Sequence, residues 1–140
     1  MATLRELLAM QDAGEEKKPR KHSSNEEHRL QVSEVRYMHA KHPELKYLFF
    51  AVPNGQKRTS LQTQWLKDEG LVPGVSDMIL LKSNSLHGYL CIENKTATGR
   101  QSEEQHHFQQ KVEMVGGKYI IIRSLDEFIK AIEQYLNGEL

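Results

Sequence analysis

Apolar and polar positions along the chain set out most of its elements. Tyr47 to Val52 is an unbroken aromatic and aliphatic run stopped by Pro53, Asn54 and Gly55, which predicts a strand ended by an Asn-Gly turn. Met78 to Leu81 and Gly88 to Lys95 are two more strand candidates, and a connection of only Lys82 to Leu86 predicts an antiparallel hairpin. Lys118 to Arg123 is β-branched through its middle, as expected of a strand covered on both faces. Leu30, Val35 and Met38 form a helical stripe, predicting a helix from an N-cap at Ser24 to about His39 or Ala40, ahead of Pro43. A short helix over Gln62 to Glu69 ends at Gly70 in the left-handed conformation. Phe108, Val112 and Val115 mark a helix that begins at Ser102 and ends at Gly116-Gly117. The last helix starts at Ser124 and gathers Leu125, Phe128, Ile129, Ile132 and Leu136 on one face. Ser24 with Glu27 and Ser102 with Gln105 have capping-box spacing, and Ser124 with Glu127 caps the last helix.

The principal order is helix, strand, strand, strand, helix, strand, helix. Its strand-helix-strand connection between residues 88 and 123 predicts a right-handed parallel crossover, hence an α/β fold with a mixed four-stranded sheet and helices on both faces. Thr3 to Met10 has the pattern of two amphipathic turns, but Asp12 to Ser24 is polar and charged with a proline. The expectation is a flexible tail over residues 1–24 and one domain over residues 25–140.

Charge removes one easy answer. Lys and Arg together number 19, as do Asp and Glu, so no global basic field draws in nucleic acid and any polyanion contact must be local. The one cysteine, Cys91, lies inside an apolar run and reads as a small core residue in a reducing compartment. No apolar stretch approaches the roughly 18 residues that span a bilayer, and the N-terminus lacks signal-peptide order. A soluble, cytoplasmic protein with no membrane partner is expected.

Chemistry concentrates at the ends of two strands. Side chains alternate along a strand, so Glu93 and Lys95 share one face while Leu90 and Ile92 take the other. The hairpin brings Asp77, at the head of its strand after the Pro73-Gly74 turn, beside Glu93. Alone, Glu-x-Lys is usually a solvated pair and Asp77 a turn residue. Together, two carboxylates and an ammonium suit a divalent cation held by oxygen and a water activated beside it.

Pro53 to Gly55, Lys57-Arg58, Gly70 to Asp77, Ile92 to Thr96, Gly99-Arg100, Ser102 to Gln105 and Gly116-Gly117 resemble, in order and at compatible spacing, the signature of the VRR-NUC domain. That domain is a branch of the PD-(D/E)xK, restriction-endonuclease-like, superfamily. The resemblance covers about Glu26 to Leu136 and implies a metal-dependent, structure-selective DNA endonuclease in a bacterial cell or phage-infected host. It further implies a Holliday-junction resolvase acting as a homodimer on branched DNA. The alternatives are a flap or nicking nuclease, and a nucleic-acid-binding module that kept the fold without catalysis.

By that resemblance Asp77, Glu93 and Lys95 are catalytic. Asp77 and Glu93 bind Mg²⁺ or Mn²⁺, and Lys95 positions or activates the attacking water. Glu27 and Gln31 match an acidic-x-x-x-Gln pattern on the first helix, with Glu27 either a metal ligand or the cap partner of Ser24. Gln105 is either a supporting residue near the site or the cap partner of Ser102. Lys57, Arg58 and Arg100 are the candidates for DNA phosphate contacts. The sequence departs from the commoner pattern at Ser76 and at Asn94, where an apolar residue is usual. Asn94 could still offer its backbone carbonyl to the metal, and its polar side chain predicts that the far face of this strand end is not fully buried. His106 and His107 point about 100° apart on a helix and read as surface residues. Trp65 reads as core or interface.

Overall fold

The structure, a computed structural model, describes residues 23–53 and 58–140. The proposed helix in residues 3–10, the flexible tail up to residue 22, the Asn54-Gly55 turn and Lys57 lie outside the described residues. Helix α1 (Ser23–Lys41) and a 3-10 turn (Pro43–Leu45) lead into strand β1 (Phe49–Ala51) and helix α2 (Ser60–Asp68). Strand β2 (Met78–Leu80) and strand β3 (Leu90–Asn94) follow, then helix α3 (Glu103–Met114), strand β4 (Lys118–Ile122) and helix α4 (Leu125–Leu136). Among the described residues no helix is long and apolar enough to cross a membrane.

The sheet order is β1-β2-β3-β4. β2 runs antiparallel to both β1 and β3, with Met78 opposite Ile92, whereas β3 and β4 are parallel, with Glu93 opposite Ile121. The mixed sheet and its parallel crossover through α3 are therefore as the sequence pattern predicts.

Each face of the sheet has its own apolar layer. Phe49, Met78, Leu80, Leu90, Ile92 and Ile122 pack under α1 and α4 with Met38, Phe128, Ile132 and Tyr135. Cys91 and Tyr119 pack on the other face with Val112 and Phe108 of α3. Each such fully buried large side chain contributes about 1.5–3 kcal/mol. Because β3 is central and covered on both sides, all five of its residues are buried.

Local signals fix the ends. Thr59 caps α2 reciprocally with Gln62, Ser102 caps α3 with Gln105, and Ser124 caps α4. Gly70 and Gly116 have positive φ. Gly117 is needed for room, since a Cβ there would lie 2.6 Å from the Tyr89 ring and 2.7 Å from Val112 Cγ1. One cap differs from expectation: α1 already contains Ser23 and Ser24, so Ser24 is not its N-cap. Glu27, in the first turns of this helix, accepts a hydrogen bond from the Thr96 backbone.

α1 and α4 are also joined at the sheet's rim. The Tyr37 hydroxyl donates to Glu133 Oε1 at 2.6 Å, and His42 Nε2 lies 2.7 Å from the same oxygen. These bonds hold the Glu133 carboxyl below the usual carboxylate range. A depressed pKa contributes stability above the unfolded value of 4.5 that is lost as pH falls through the folded value. Glu133→Gln is expected to lower the urea midpoint at neutral pH, with the gap from wild type closing as the pH falls below about 4. Denaturation curves at both pH values check this.

Candidate active site

Asp77, Glu93 and Lys95 meet where β2 begins and β3 ends. Asp77 is placed by the Val52 N–H, which donates to its backbone carbonyl at 2.8 Å, and by the Asn94 N–H, which donates to its Oδ2 at 2.8 Å. Glu93 is only 3 % exposed. Its Oε1 lies 3.4 Å from Lys95 Nζ and accepts from Gln105 Nε2 at 2.7 Å. Gln105 performs both roles open to it, because its Oε1 accepts from the Ser102 N–H in the cap while its amide nitrogen reaches Glu93.

The turn after Lys95 is stitched to the end of β4. The Lys95 N–H donates to the Ile122 carbonyl at 2.9 Å. The Arg123 guanidinium donates to the carbonyls of Thr96 and Gly99 at 2.6 and 2.7 Å. Charge-assisted bonds of this length are the stronger kind, so the lysine's backbone is held firmly.

The electrostatics are costly. Burial, reinforced by the Asp77 charge and opposed by Lys95, pushes the Glu93 carboxyl up to about 7. Burial also raises Asp77, against the pull of the Asn94 N–H and Lys95. Glu27 is raised by burial, while Lys95 lowers it and Asp77 raises it, which puts its carboxylate within electrostatic reach of the cluster. One ammonium thus serves several carboxylates.

The donor set suits a hard divalent cation. Glu93 Oε2 is buried without a hydrogen-bond partner, and Asp77 uses only Oδ2 among the described residues. Among those residues no three His, Cys, Asp or Glu side chains form a complete cage. A partial set of one or two carboxylates is what Mg²⁺ takes, since it keeps several waters.

A cleft of about 390 Å³ reaches this cluster at Asp77 and Gln105, while Glu93 and Lys95 are not part of its lining. Arg58, Thr63, Lys67, Leu71, the Pro73 to Val75 turn, Ser102 and Glu104 complete the lining. The Arg58 guanidinium is steadied by a 2.7 Å bond to the Pro53 carbonyl. Arg100 is exposed on the loop before α3, outside this lining. Gln31 lines a groove with His28, Val32, Val35 and Arg36. His106, His107 and Trp65 are exposed.

No protein-family model and no curated protein matches the sequence. Among solved structures, one described as a "VRR_NUC domain protein" superposes with a TM-score of 0.70 at 17 % identity, over 80 % of this chain and 88 % of that one. The chain has the VRR-NUC fold.

Within the VRR-NUC fold, one expectation is reversed. The face of β3 opposite Glu93 and Lys95 is fully buried at its end: Asn94 is 1 % exposed, and its Nδ2 donates to Glu34 Oε2 at 3.0 Å. A polar residue replaces an apolar one there because α1 presents a polar partner. Glu34 itself is 0 % exposed, and burial pushes its carboxyl up to about 7. The sequence held a signal for it, since Glu34 lies between Leu30 and Met38 on the apolar stripe and seven residues after Glu27. Arg123 had no local signal, because it bonds residues 24 and 27 positions away, and Lys67 emerges only as part of the cleft lining.

The cleft depends on one close backbone approach. A Cβ on Gly74, whose φ is +85°, would lie 2.5 Å from the Glu104 backbone and 2.8 Å from the Gln105 nitrogen. At Gly70, φ is +105° but nothing lies within 4 Å. Gly70→Ala is therefore expected to cost about 1–2 kcal/mol of backbone strain. Gly74→Ala adds about 1–3 kcal/mol of overpacking, because helix backbone must shift. Chemical denaturation of the two variants measures the difference; equal losses contradict it.

Proposed function

We propose that the chain is a metal-dependent, structure-selective DNA endonuclease that hydrolyses phosphodiester bonds, with a four-way junction as the favoured substrate. The observation that carries this reading is one ammonium, Lys95, held against the buried carboxylate Glu93, with Asp77 beside them lining a cleft that also holds the cationic side chains of Arg58 and Lys67. The VRR-NUC fold supports it. A purely structural ion pair has no need of a second buried carboxylate or an open cleft.

Asp77 and Glu93 would hold Mg²⁺ or Mn²⁺, with Glu27 and the Asn94 backbone carbonyl as further ligands. A cation bound there supplies Lewis-acid charge at the scissile phosphate and lowers the pKa of a coordinated water. The protein's own part is positional and electrostatic. Lys95 donates to the attacking water or to a phosphate oxygen and offsets charge that grows in the transition state. Gln105 keeps Glu93 Oε1 engaged, which leaves Oε2 turned to its task. Arg58 and Lys67 hold the neighbouring backbone phosphates, fixing register without reading sequence. Arg100 and Lys57 extend those contacts. Symmetric cutting of a four-way junction requires two sites, so a homodimer is the working form.

End-labelled duplex, single-stranded, flap and four-way-junction DNA, incubated with Mg²⁺, Mn²⁺ or EDTA, test the reading. The wild type is expected to cut in metal alone and the junction fastest. Lys95→Ala is expected to lose about 10²–10³-fold in rate while still binding DNA. Undiminished cutting by that variant, or cutting in EDTA, contradicts the assignment.

A further inference from the structure

Glu34 lies outside the constellation yet is bonded into it. Asn94 Nδ2 donates to Glu34 Oε2 on the α1 face of the sheet, while the Asn94 N–H donates to Asp77 Oδ2 at the strand's end. One residue therefore links helix α1 to the Asp77 carboxylate. The Asn94 N–H is the one hydrogen bond made to the Asp77 side chain among the described residues.

Stability does not explain the pair. Glu34 Oε1 and Asn94 Oδ1 are both buried without hydrogen-bond partners, and each unsatisfied buried polar atom costs about 1–3 kcal/mol. Two apolar side chains of similar shape would avoid that cost. What the polar pair adds is direction. Asn94 is the last residue of β3, and beyond it the Lys95 N–H donates to the Ile122 carbonyl while its Nζ meets Glu93. Ile122 and Arg123 fasten this strand end from the β4 side, and on the α1 side the grip is made through the Asn94 side chain. The buried carboxyl two helical turns beyond Glu27 supplies that grip.

We infer that Glu34 is a positioning residue of the active site: it fixes the Asn94 side chain from behind the sheet, and through it the Asn94 N–H that aims Asp77 into the cleft. The inference rests on the nuclease reading for its catalytic consequence, but its structural part stands independently. What matters is reach and hydrogen bonding rather than charge. Gln at position 34 keeps the acceptor for Asn94 Nδ2 and brings a donor for Asn94 Oδ1. Asp keeps the charge but is one methylene short.

The test compares Glu34→Gln, Glu34→Asp and Glu34→Leu by hydrogen exchange of the residue-94 amide, thermal melting, and steady-state cleavage of four-way-junction DNA well below the melting temperature. Glu34→Gln is expected to keep wild-type exchange and kcat. Glu34→Asp and Glu34→Leu are expected to speed exchange at residue 94 and lower kcat by about 10–100-fold, with KM little changed. If Glu34→Leu does not fold, the Gln and Asp variants carry the comparison. Wild-type exchange and kcat in Glu34→Asp, or a Gln variant as impaired as it, overturn the inference. If the wild type cuts no DNA, the nuclease reading fails alone and exchange at residue 94 still decides the role of Glu34.

Discussion

Glu93 is a carboxylate almost wholly withdrawn from water, with one oxygen engaged by Lys95 and Gln105 and the other engaged by nothing. Leaving an anion so placed costs several kcal/mol unless it is paired or protonated, and here the nearby Asp77 makes the charge less welcome still. The rest of the structure can be understood as the means of imposing that arrangement. β3 is covered on both faces so that Glu93 cannot swing out to solvent. The antiparallel partner β2 brings Asp77 to the same end, and the parallel crossover returns α3 with its first turn, and Gln105, over the cluster. A fold optimised for stability alone would place an apolar residue at position 93. Perturbed carboxylates gathered at one strand end are what the nuclease reading proposed above calls for.

The strand divides its labour by parity. Cys91, Glu93 and Lys95 belong to the face under α3, where the carboxylate and the ammonium meet. Leu90, Ile92 and Asn94 belong to the face under α1, where the first two pack and the third is gripped by Glu34. Precision at the site therefore comes from both layers at once, and the loops that touch it are fastened to regular elements. Gly74 brings the turn before Asp77 against the backbone of α3, and Arg123 ties the turn after Lys95 to β4. Preorganisation of this kind lets fixed dipoles and charges act without rearrangement during reaction.

Much of this was legible in the sequence because its causes are local. The hairpin followed from a connection too short for a crossover, the parallel strand from one long enough to hold α3, and the end of α3 from Gly116-Gly117. Asp77, Glu93 and Lys95 could be brought together by strand parity and that hairpin alone. The helix starts at Thr59 and Ser102 obey the same local rule, although Thr59 with Gln62 was overlooked. What sequence could not supply were partners set by tertiary packing. Glu34 and Asn94 are 60 residues apart, so the polar residue at 94 looked like a sign of exposure when it was half of a buried pair. Arg123 reaches back 27 residues to Thr96. Ser24 misled in the opposite way: its local pattern is a good cap, yet the helix extends past it.

The nuclease reading proposed above requires that Glu93 and Asp77, held at a cost to stability, bind a divalent cation. Calorimetric titration of Mn²⁺ into the wild type, Glu93→Gln and Asp77→Asn, with melting temperatures of the three proteins without metal, tests it most directly. The expected result is binding by the wild type, its loss in both variants, and a Glu93→Gln melting temperature equal to or above that of the wild type, because a poorly compensated buried charge has gone. Unchanged Mn²⁺ binding together with a lowered melting temperature in Glu93→Gln would show the carboxylate to be structural and contradict the account.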